Sequence, residues 1–237
     1  MSWSLTKNGP VGILTYASPP ENRFPFSSLR DLDAMLETLG RDDSISIVAL
    51  RSGVDGMFSA GAALDDIRAL AGGQEPSAPF DWWMRALLRL EELPQPSVAL
   101  VDGLAASGGT ELALACTMRV GTARAEFVLR EIARGAIPGA GATQRLPRLV
   151  GAGRAAEIIM SARSVHAEEA LAIGLLQAVV PVEGAETHFD TWIRRFSAMP
   201  RAGLVAAKRA IVDGGRLPLT EGLRLEQAQF RELVARR

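Results

Sequence analysis

The sequence predicts an α/β protein, because short β-prone apolar runs alternate along the chain with longer segments of helical periodicity. The run at residues 45–50 is apolar enough to be buried on both faces, which is typical of a strand in a sheet covered by helices. With 237 residues, 48% of them apolar and 22% charged, the chain can bury one substantial core. We therefore expect a globular α/β protein with a single main core.

The first elements follow from turn residues and apolar spacing. A strand is predicted at residues 11–16, directly after the Asn8-Gly9-Pro10 turn. Leucines recur at helical spacing from residue 29 to residue 39, and Gly40 ends the pattern. Ser28 and Asp31 stand three residues apart at the start of that helix, which resembles a capping box.

The middle of the chain places a strand before a glycine-rich turn. A short helix is expected at residues 64–70, and a loop rich in Gly, Pro and Ser at residues 72–79 is the segment most expected to move. An amphipathic helix at residues 80–93 stops at Pro94, and the buried strand 98–101 leads into the turn at Gly103. A site in this region would lie at a strand-to-helix junction.

The second half of the sequence is mainly helical. Helices are expected at residues 143–150, 154–161 and 164–174, before a strand at residues 176–180. Beyond residue 182 the pattern predicts about three helices, separated at Met199-Pro200 and at Asp213-Gly214-Gly215. We divide the chain into an α/β core at residues 1–190 and a helical C-terminal segment at residues 191–237.

Charge and composition argue against several classes of function. The formal net charge of −1 provides no field that favours nucleic acid or anionic lipid. No segment holds the roughly 20 apolar residues that a membrane-spanning helix needs. One cysteine, Cys116, and two dispersed histidines provide no metal-ligand spacing. We expect a cytoplasmic protein without a metal ion, a membrane segment or a nucleic-acid partner.

Two glutamates are the strongest indication of chemistry. Glu111 lies within the run Leu112 to Cys116, which is typical of a buried helix opened by Gly108 and Gly109. A carboxylate in such a place must be paired, protonated or functional. Glu131 follows 20 positions later in "FVLREIARG", where the alternative to a functional role is a surface ion pair with Arg130 or Arg134.

Three motifs carry a family resemblance that spans nearly the whole chain. They are "FSAGAAL" at residues 58–64, "GLAASGGTELALAC" at 103–116 and "IPGAGATQRLPRLVG" at 137–151. Together with Glu111 and Glu131, in this order and spacing, they resemble the enoyl-CoA hydratase/isomerase (crotonase) superfamily. The resemblance implies a crotonase-like spiral of strand-strand-helix units, related to the fold of the ClpP peptidases, with a helical C-terminal oligomerisation segment.

The resemblance also implies the site. It implies that the oxyanion-hole amides, which polarise a thioester carbonyl, are those of Ala62 and Gly108. The substrate would contact Ala60, Gly61, Ala62 and Gly108, where small residues allow close approach. Glu111 and Glu131 match the two catalytic glutamates of hydratases, with Glu111 expected to activate water and Glu131 to protonate C2. Arg145 and Arg148 are expected to serve subunit packing or surface solvation.

The expected activity is therefore the reversible hydration of a 2-enoyl-CoA thioester. Because CoA is part of such a substrate, no separate cofactor is expected. The resemblance implies a homotrimer or a dimer of trimers.

Alternative functions stay open at this point. An enoyl-CoA isomerase needs only one base at position 131, and the presence of both carboxylates favours hydration. Another CoA-thioester reaction of the superfamily, or a catalytically silent member, is also compatible with the motifs. A more remote alternative is a ClpP-like serine peptidase with Ser107 as the nucleophile, although the segment 127–139 has no histidine to act as its base. The lysine-rich helix of the family's RNA-binding branch is missing, since the chain has only Lys7 and Lys208.

Overall fold

The fold is built on a six-stranded sheet. The computed structural model describes residues 2–235, and these form ten strands and ten α-helices. The large sheet has the order β1-β2-β3-β5-β7-β10; β1 and β2 pair antiparallel, and the other neighbours pair parallel. Its strands are β1 Ser2–Asn8, β2 Val11–Ala17, β3 Ile47–Ser52, β5 Ser97–Val101, β7 Met118–Thr122 and β10 Ala178–Val180.

A second, smaller sheet has the order β4-β6-β8-β9, with β9 antiparallel to β8. Its strands are β4 Met57–Ser59, β6 Leu104–Ala106, β8 Glu126–Val128 and β9 Val165–His166. Three consecutive strands of the large sheet, β3, β5 and β7, each lead directly into a strand of the small one. The chain thus repeats a strand-strand-helix unit, which confirms the expected α/β architecture.

The helices lie between and around these strand pairs. Their bounds are α1 Ser28–Gly40, α2 Leu64–Ala71, α3 Asp81–Glu92, α4 Gly108–Ala115, α5 Ala142–Val150, α6 Ala152–Ser161, α7 Ala167–Ala172, α8 Ala185–Ser197, α9 Arg201–Val212 and α10 Leu219–Ala235. Short 3₁₀ turns stand at Ile132–Arg134 and Gly214–Arg216. Among the described helices, none is both long enough and apolar enough to cross a lipid bilayer.

The large sheet is buried on both faces, as its apolar strands predict. Alternate residues of β3 point to opposite sides: Val48 and Leu50 join the main core with α1 and α3, whereas Ile47 and Ala49 join a smaller core under α8. The predicted strand 45–50 is therefore right in kind, although its observed bounds start two residues later.

Several local predictions are wrong. The capping box at Ser28 and Asp31 does not form, because the Ser28 hydroxyl donates to the carbonyl of Pro25 at 2.8 Å. The helix expected from residue 164 begins only at Ala167, since residues 165–166 are used as β9. By contrast, the buried helix expected to open at Gly108 and Gly109 is confirmed as α4, and a short strand that was not predicted, β6, lies between it and the turn at Gly103.

The C-terminal region contains the three predicted helices, α8, α9 and α10. The division placed at residues 190 and 191 falls inside α8, whose Phe189 and Ile193 pack against the large sheet. The division into two segments stays a prediction, and its outermost residues Met1, Arg236 and Arg237 lie outside the described part of the chain.

One buried side chain, that of Asn22, connects the ends of three strands by hydrogen bonds. Asn22 is 1% exposed and has a left-handed backbone (φ +50°), which asparagine tolerates better than most residues. Its Oδ1 accepts from the amide of Ser18 at 2.8 Å, and its Nδ2 donates to the carbonyl of Phe58 at 2.8 Å and to the Ser52 hydroxyl at 2.9 Å. Asn22 therefore ties the ends of β2, β3 and β4 together, and nothing in the sequence singled it out.

We expect Asn22→Ala to lower the free energy of unfolding by about 3 kcal/mol, because it leaves buried donors and acceptors unpaired and puts alanine in a left-handed conformation. Urea denaturation followed by circular dichroism measures the change. Asn8→Ala, at the exposed turn between β1 and β2, is the matched control and should change stability by less than about 1 kcal/mol. Equal stability of the two variants would contradict the role of Asn22.

Candidate active site

Glu111 is held in place by a buried helix. All eight residues of α4 are buried, and Glu111 itself is 3% exposed. Its Oε1 accepts the backbone amides of Ala140 at 2.7 Å and Ala142 at 3.1 Å, from the turn that starts α5. Oε2 has no hydrogen-bond donor among the described residues, so this oxygen is available to a water molecule or a substrate.

Burial also changes the acidity of Glu111. Loss of hydration raises the pKa of its carboxyl group to about 7, because the charged form loses most from burial. The two backbone amides and Arg145 act in the opposite direction, whereas the carboxyl group of Glu131 adds to the rise. A group with this pKa can exchange a proton near neutral pH.

Glu131 faces the same cavity from the turn after β8. It precedes the 3₁₀ turn Ile132–Arg134, and burial raises its pKa while the nearby Ser107 hydroxyl lowers it. Its Oε2 is buried and has no hydrogen-bond partner within the described residues. The alternative of a surface ion pair with Arg130 or Arg134 is not observed. An unpaired buried carboxyl oxygen is costly unless the group is protonated or meets a ligand.

Two residues that line the same cavity, Ala62 and Gly108, have backbone amides without an acceptor among the described residues. The β-bridge between Phe24 and Ala62 uses the amides of Phe24 and Ala63, and leaves that of Ala62 without an acceptor in the described chain. Gly108 is the first residue of α4, where an amide has no partner within its own helix. The backbones of residues 61 and 108 are close, since a Cβ on Gly61 would lie 3.0 Å from the Gly108 nitrogen.

Hydrogen bonds to Ser59 and Arg23 hold the segment between β4 and α2 in place. Gly61 has φ +90°, and its amide donates to the Ser59 hydroxyl at 3.0 Å. The guanidinium group of Arg23 donates to the carbonyls of Ala60 at 2.9 Å and Ala62 at 3.1 Å. These bonds occupy the carbonyls, so the segment can present its Ala62 amide to a ligand. No local pattern in the sequence singles out Arg23, because its partners lie 37 and 39 residues away.

The cavity between these groups has a volume of about 430 Å³. It brings together Ala60, Ala62, Gly108, Glu111 and Glu131, and Gly61 lies between two of them in the chain. Apolar side chains form much of its remaining wall: Phe26, Leu64, Ile67, Phe80, Trp83 and Ile137. The Trp83 ring packs so closely on Gly108 that a Cβ there would lie 2.1 Å from it. A largely apolar wall with a few polar groups is typical of a small-molecule site.

Ser107 joins β6 to α4 in a strained conformation. Its backbone has φ +52° and ψ −119°, a region that residues other than glycine rarely adopt. Both Ser107 and Gly108, the two residues at this turn, line the cavity. Such strain often accompanies functional sites, because the surrounding structure must hold it in place.

The loop at residues 72–79 contains no helix or strand and borders α2 and α3. It is anchored by Asp66, a buried residue whose carboxyl group accepts the amide of Phe26 at 2.7 Å and the hydroxyl of Ser77 at 2.9 Å. The mobility predicted for this loop stays a prediction.

The described residues contain no cluster of three or more His, Cys, Asp or Glu side chains that could hold a metal ion. That the protein works without a metal stays a prediction.

The chain is similar in sequence to proteins of one known family. The sequence profile of the enoyl-CoA hydratase/isomerase family matches residues 6–237. The mitochondrial methylglutaconyl-CoA hydratase of Rattus norvegicus is 36% identical over 220 residues, covering 91% of this chain and 69% of that protein.

Solved structures show the same fold. An enoyl-CoA hydratase from Bacillus anthracis superposes with a TM-score of 0.90 at 30% identity, covering 99% of this chain and 92% of that one. A Thermobifida fusca chain in complex with acetoacetyl-CoA superposes with a TM-score of 0.89 at 28% identity, covering 100% and 96%. The crotonase-like fold expected from the motifs is thereby confirmed, and the chain belongs to the enoyl-CoA hydratase/isomerase family.

Proposed function

We propose that this protein is an enoyl-CoA hydratase that adds water reversibly across the C2=C3 bond of a 2-enoyl-CoA thioester. The observation that carries the proposal is one cavity that holds the buried carboxyl group of Glu111 and the partly buried carboxyl group of Glu131. Beside them lie the amides of Ala62 and Gly108, which have no acceptor among the described residues. Methylglutaconyl-CoA hydratase among the relatives and acetoacetyl-CoA in the Thermobifida fusca complex support an acyl-CoA thioester as the substrate.

The two amides would act on the thioester carbonyl. Hydration at C3 places negative charge on this oxygen, and preorganised N–H donors stabilise that charge without moving. Gly108 also stands at the N-terminus of α4, where the helix dipole favours negative charge. Ala60 and Gly61 complete the backbone around the thioester, and their small size allows close approach. CoA belongs to the substrate, so the reaction requires no separate cofactor.

The two carboxyl groups would divide the proton transfers. The two amides that bind Oε1 of Glu111 favour its charged form, and its free Oε2 can accept a proton from the attacking water. Glu131 would act in its protonated form and deliver a proton to C2. Mutual repulsion and shared burial hinder ionisation of both groups at once, which keeps one of them protonated. In dehydration the roles are exchanged.

Two observations bear on the alternative functions. An isomerase needs a single base at position 131. In that reaction Glu111 would be a buried carboxyl group with no role in catalysis. A ClpP-like peptidase needs a base for Ser107, and no histidine stands among the described residues that line the cavity. Hydration uses both glutamates, and we favour it for that reason.

We also propose that the protein assembles as a homotrimer or a dimer of trimers. No described residue of α10 is buried, and Leu223, Phe230 and Val234 share one exposed face of this helix by their spacing. An exposed apolar face on a terminal helix is typical of a subunit contact.

We expect Glu111→Gln and Glu131→Gln each to lower kcat for hydration by about 100-fold or more, because each removes one proton-transfer group. Loss of the conjugated-enoyl absorbance of crotonyl-CoA, and of a 2-enoyl-CoA with a longer chain, measures the rate. Glu75→Gln, in the exposed loop, is the matched control. A wild-type protein that binds CoA thioesters but hydrates neither substrate would contradict the proposal and favour another thioester reaction or a silent binder.

The pH dependence of stability gives an independent prediction. The pKa of Glu111 is about 7 in the folded protein, against 4.5 for an ordinary solvated glutamate such as the unfolded chain presents, so the folded state holds the extra proton between these values. The free energy of unfolding should therefore fall as pH rises through this interval, by at most about 3 kcal/mol from this group.

In Glu111→Gln this contribution is removed, and the variant should be more stable than the wild type at pH 8 by about 1–3 kcal/mol but not at pH 4.5. Urea denaturation at both pH values measures the difference. Glu75→Gln should follow the wild type at both, and a Glu111→Gln variant that gains nothing at pH 8 would show that burial of this carboxylate costs little.

For the assembly, we expect the wild type to elute as three or six subunits in size-exclusion chromatography with light scattering. Phe230→Asp together with Val234→Asp should lower the mass to that of a smaller species, because charge on the apolar face opposes its burial. Ala228→Asp puts the same charge on another face of α10 and should leave the mass unchanged. A monomeric wild type would rule out the proposed assembly.

A further inference from the structure

A partly buried ion pair lies next to the turn that binds Glu111. Arg145, on the first turns of α5, donates through Nε and Nη2 to the same carboxyl oxygen of Glu91, at 2.9 and 2.8 Å. The side chain of Arg145 is 14% exposed, so the expectation that it serves surface solvation is wrong. A guanidinium group held this firmly in a fixed place can act as a structural anchor.

The same guanidinium group binds the turn itself. Its Nη1 donates to the carbonyl oxygen of Ala140 at 2.8 Å. The amide of Ala140 is the closer of the two donors to Oε1 of Glu111, at 2.7 Å. Arg145 therefore binds the carbonyl oxygen of Ala140, and the N–H group of Ala140 binds the carboxyl group of Glu111, the candidate base.

The other oxygen of Glu91 is bound by the C-terminal region. Arg216, in the 3₁₀ turn between α9 and α10, donates to Oε1 of Glu91 at 2.7 Å. Both carboxyl oxygens of Glu91 are thus occupied by guanidinium groups from different parts of the chain. A continuous path of contacts runs from the turn that carries α10 through Glu91, Arg145 and Ala140 to Glu111.

We propose that Arg145, Glu91 and Arg216 are positioning residues that hold the Ala140 turn, and through it the Glu111 carboxyl group, and that they couple the docking of the C-terminal helices to the geometry of the site. The inference deepens the proposed function and rests on it, because it assumes that Glu111 is the base for the hydration reaction. None of the three side chains needs to touch the substrate.

Two backbone amides limit the movement of the Glu111 carboxyl group. Glu111 keeps its rotamer only while the amides of Ala140 and Ala142 stay in place, and that turn has few other bonds to fix it. If Arg145 is lost, the Ala140 carbonyl loses its donor and the partly buried Glu91 carboxylate loses a partner. A displacement of about 1 Å in a reacting group can cost up to about 100-fold in rate.

The charged groups that face Glu111 determine in which direction each variant shifts its pKa. They are the carboxyl group of Glu131, the guanidinium group of Arg145, and, across the cavity, Arg23 and Arg134. Arg145 lowers the pKa of Glu111, so its removal should raise this pKa further. Removal of Glu91 should not raise it, since Arg145 then keeps its positive charge.

The test compares Arg145→Gln with Arg148→Gln. Arg148 lies one turn further along α5, is exposed, and donates only to the Gln144 carbonyl among the described residues. Arg145→Gln should lower kcat for hydration by about 10- to 100-fold with little change in KM. It should also shift the acid limb of the pH profile to higher pH. Arg148→Gln should behave as the wild type.

Two further variants separate position from charge. Arg145→Lys keeps the charge and one donor, so it should recover part of the lost kcat and keep the wild-type acid limb. Glu91→Gln should lower kcat without moving the acid limb to higher pH. If both Arg145 variants keep the wild-type kcat, the positioning role is overturned.

The coupling to the C-terminal helices is tested by Arg216→Gln, with Arg209→Gln as its control. Arg209, on the last turn of α9, pairs only loosely with Asp213 at 3.8 Å. Arg216→Gln should lower kcat about 3- to 10-fold, in the same direction as Arg145→Gln. Equal kcat values for Arg216→Gln and Arg209→Gln would overturn the coupling to the C-terminal helices and leave Glu91 as the end of the path.

A measurement without turnover separates the failure of this inference from failure of the proposed function. The carboxyl C=O band in the infrared difference between wild type and Glu111→Gln, followed over pH, titrates Glu111 directly. An inactive wild type refutes hydration, but Arg145→Gln should still raise this midpoint relative to Arg148→Gln. An unchanged midpoint, whatever the activity, would overturn the placement of Arg145 behind Glu111.

Discussion

The burial of Glu111 is the constraint on which the rest of the site depends. Its helix, α4, is buried along its whole length, so the Glu111 side chain has little contact with bulk water. Its charge is tolerated only because the amides of Ala140 and Ala142 converge on one of its oxygens. The turn that supplies these amides must therefore be held rigidly, and the Arg145 and Glu91 pair is placed to do so.

The backbone groups at the two ends of helix α4 differ in whether they have a hydrogen-bond partner among the described residues. At its N-terminus the Gly108 amide is left unpaired, which a ligand oxygen can use. At its C-terminus the carbonyl of Cys116 accepts from Arg119 at 2.8 Å, and this fully buried guanidinium group also donates to the carbonyl of Leu175 at 2.7 Å. A positive charge at the C-terminal end of a helix is favourable, so Arg119 stabilises this end of α4.

The three strand pairs explain why distant residues converge. The strands β4, β6 and β8 run parallel, so their carboxyl ends lie at one edge of the small sheet. The chain leaves these strands at Ala60, at Ser107 and just before Glu131, and each exit supplies part of the site. Ligands commonly bind beyond the carboxyl ends of parallel strands for this reason. The strain at Ser107 and the unpaired Oε2 of Glu131 are costs that fold stability elsewhere must offset.

Local patterns in the sequence were enough to predict the α/β class, the larger elements and Glu111, because apolar periodicity, glycine turns and a carboxylate in a buried helix are local signals. The crotonase-like fold and the functional role of Glu131 were expected from the family motifs. The local patterns missed β1, the short strands of the small sheet and the start of α7, since strands of two or three residues are defined by pairing with distant partners. Long-range packing alone placed Arg23 under Ala62, Asn22 between three strands, and Arg145 behind Ala140. These contacts join residues that are far apart in the chain or, for Arg145, depend on the path of a turn, and no local pattern of residues encodes them.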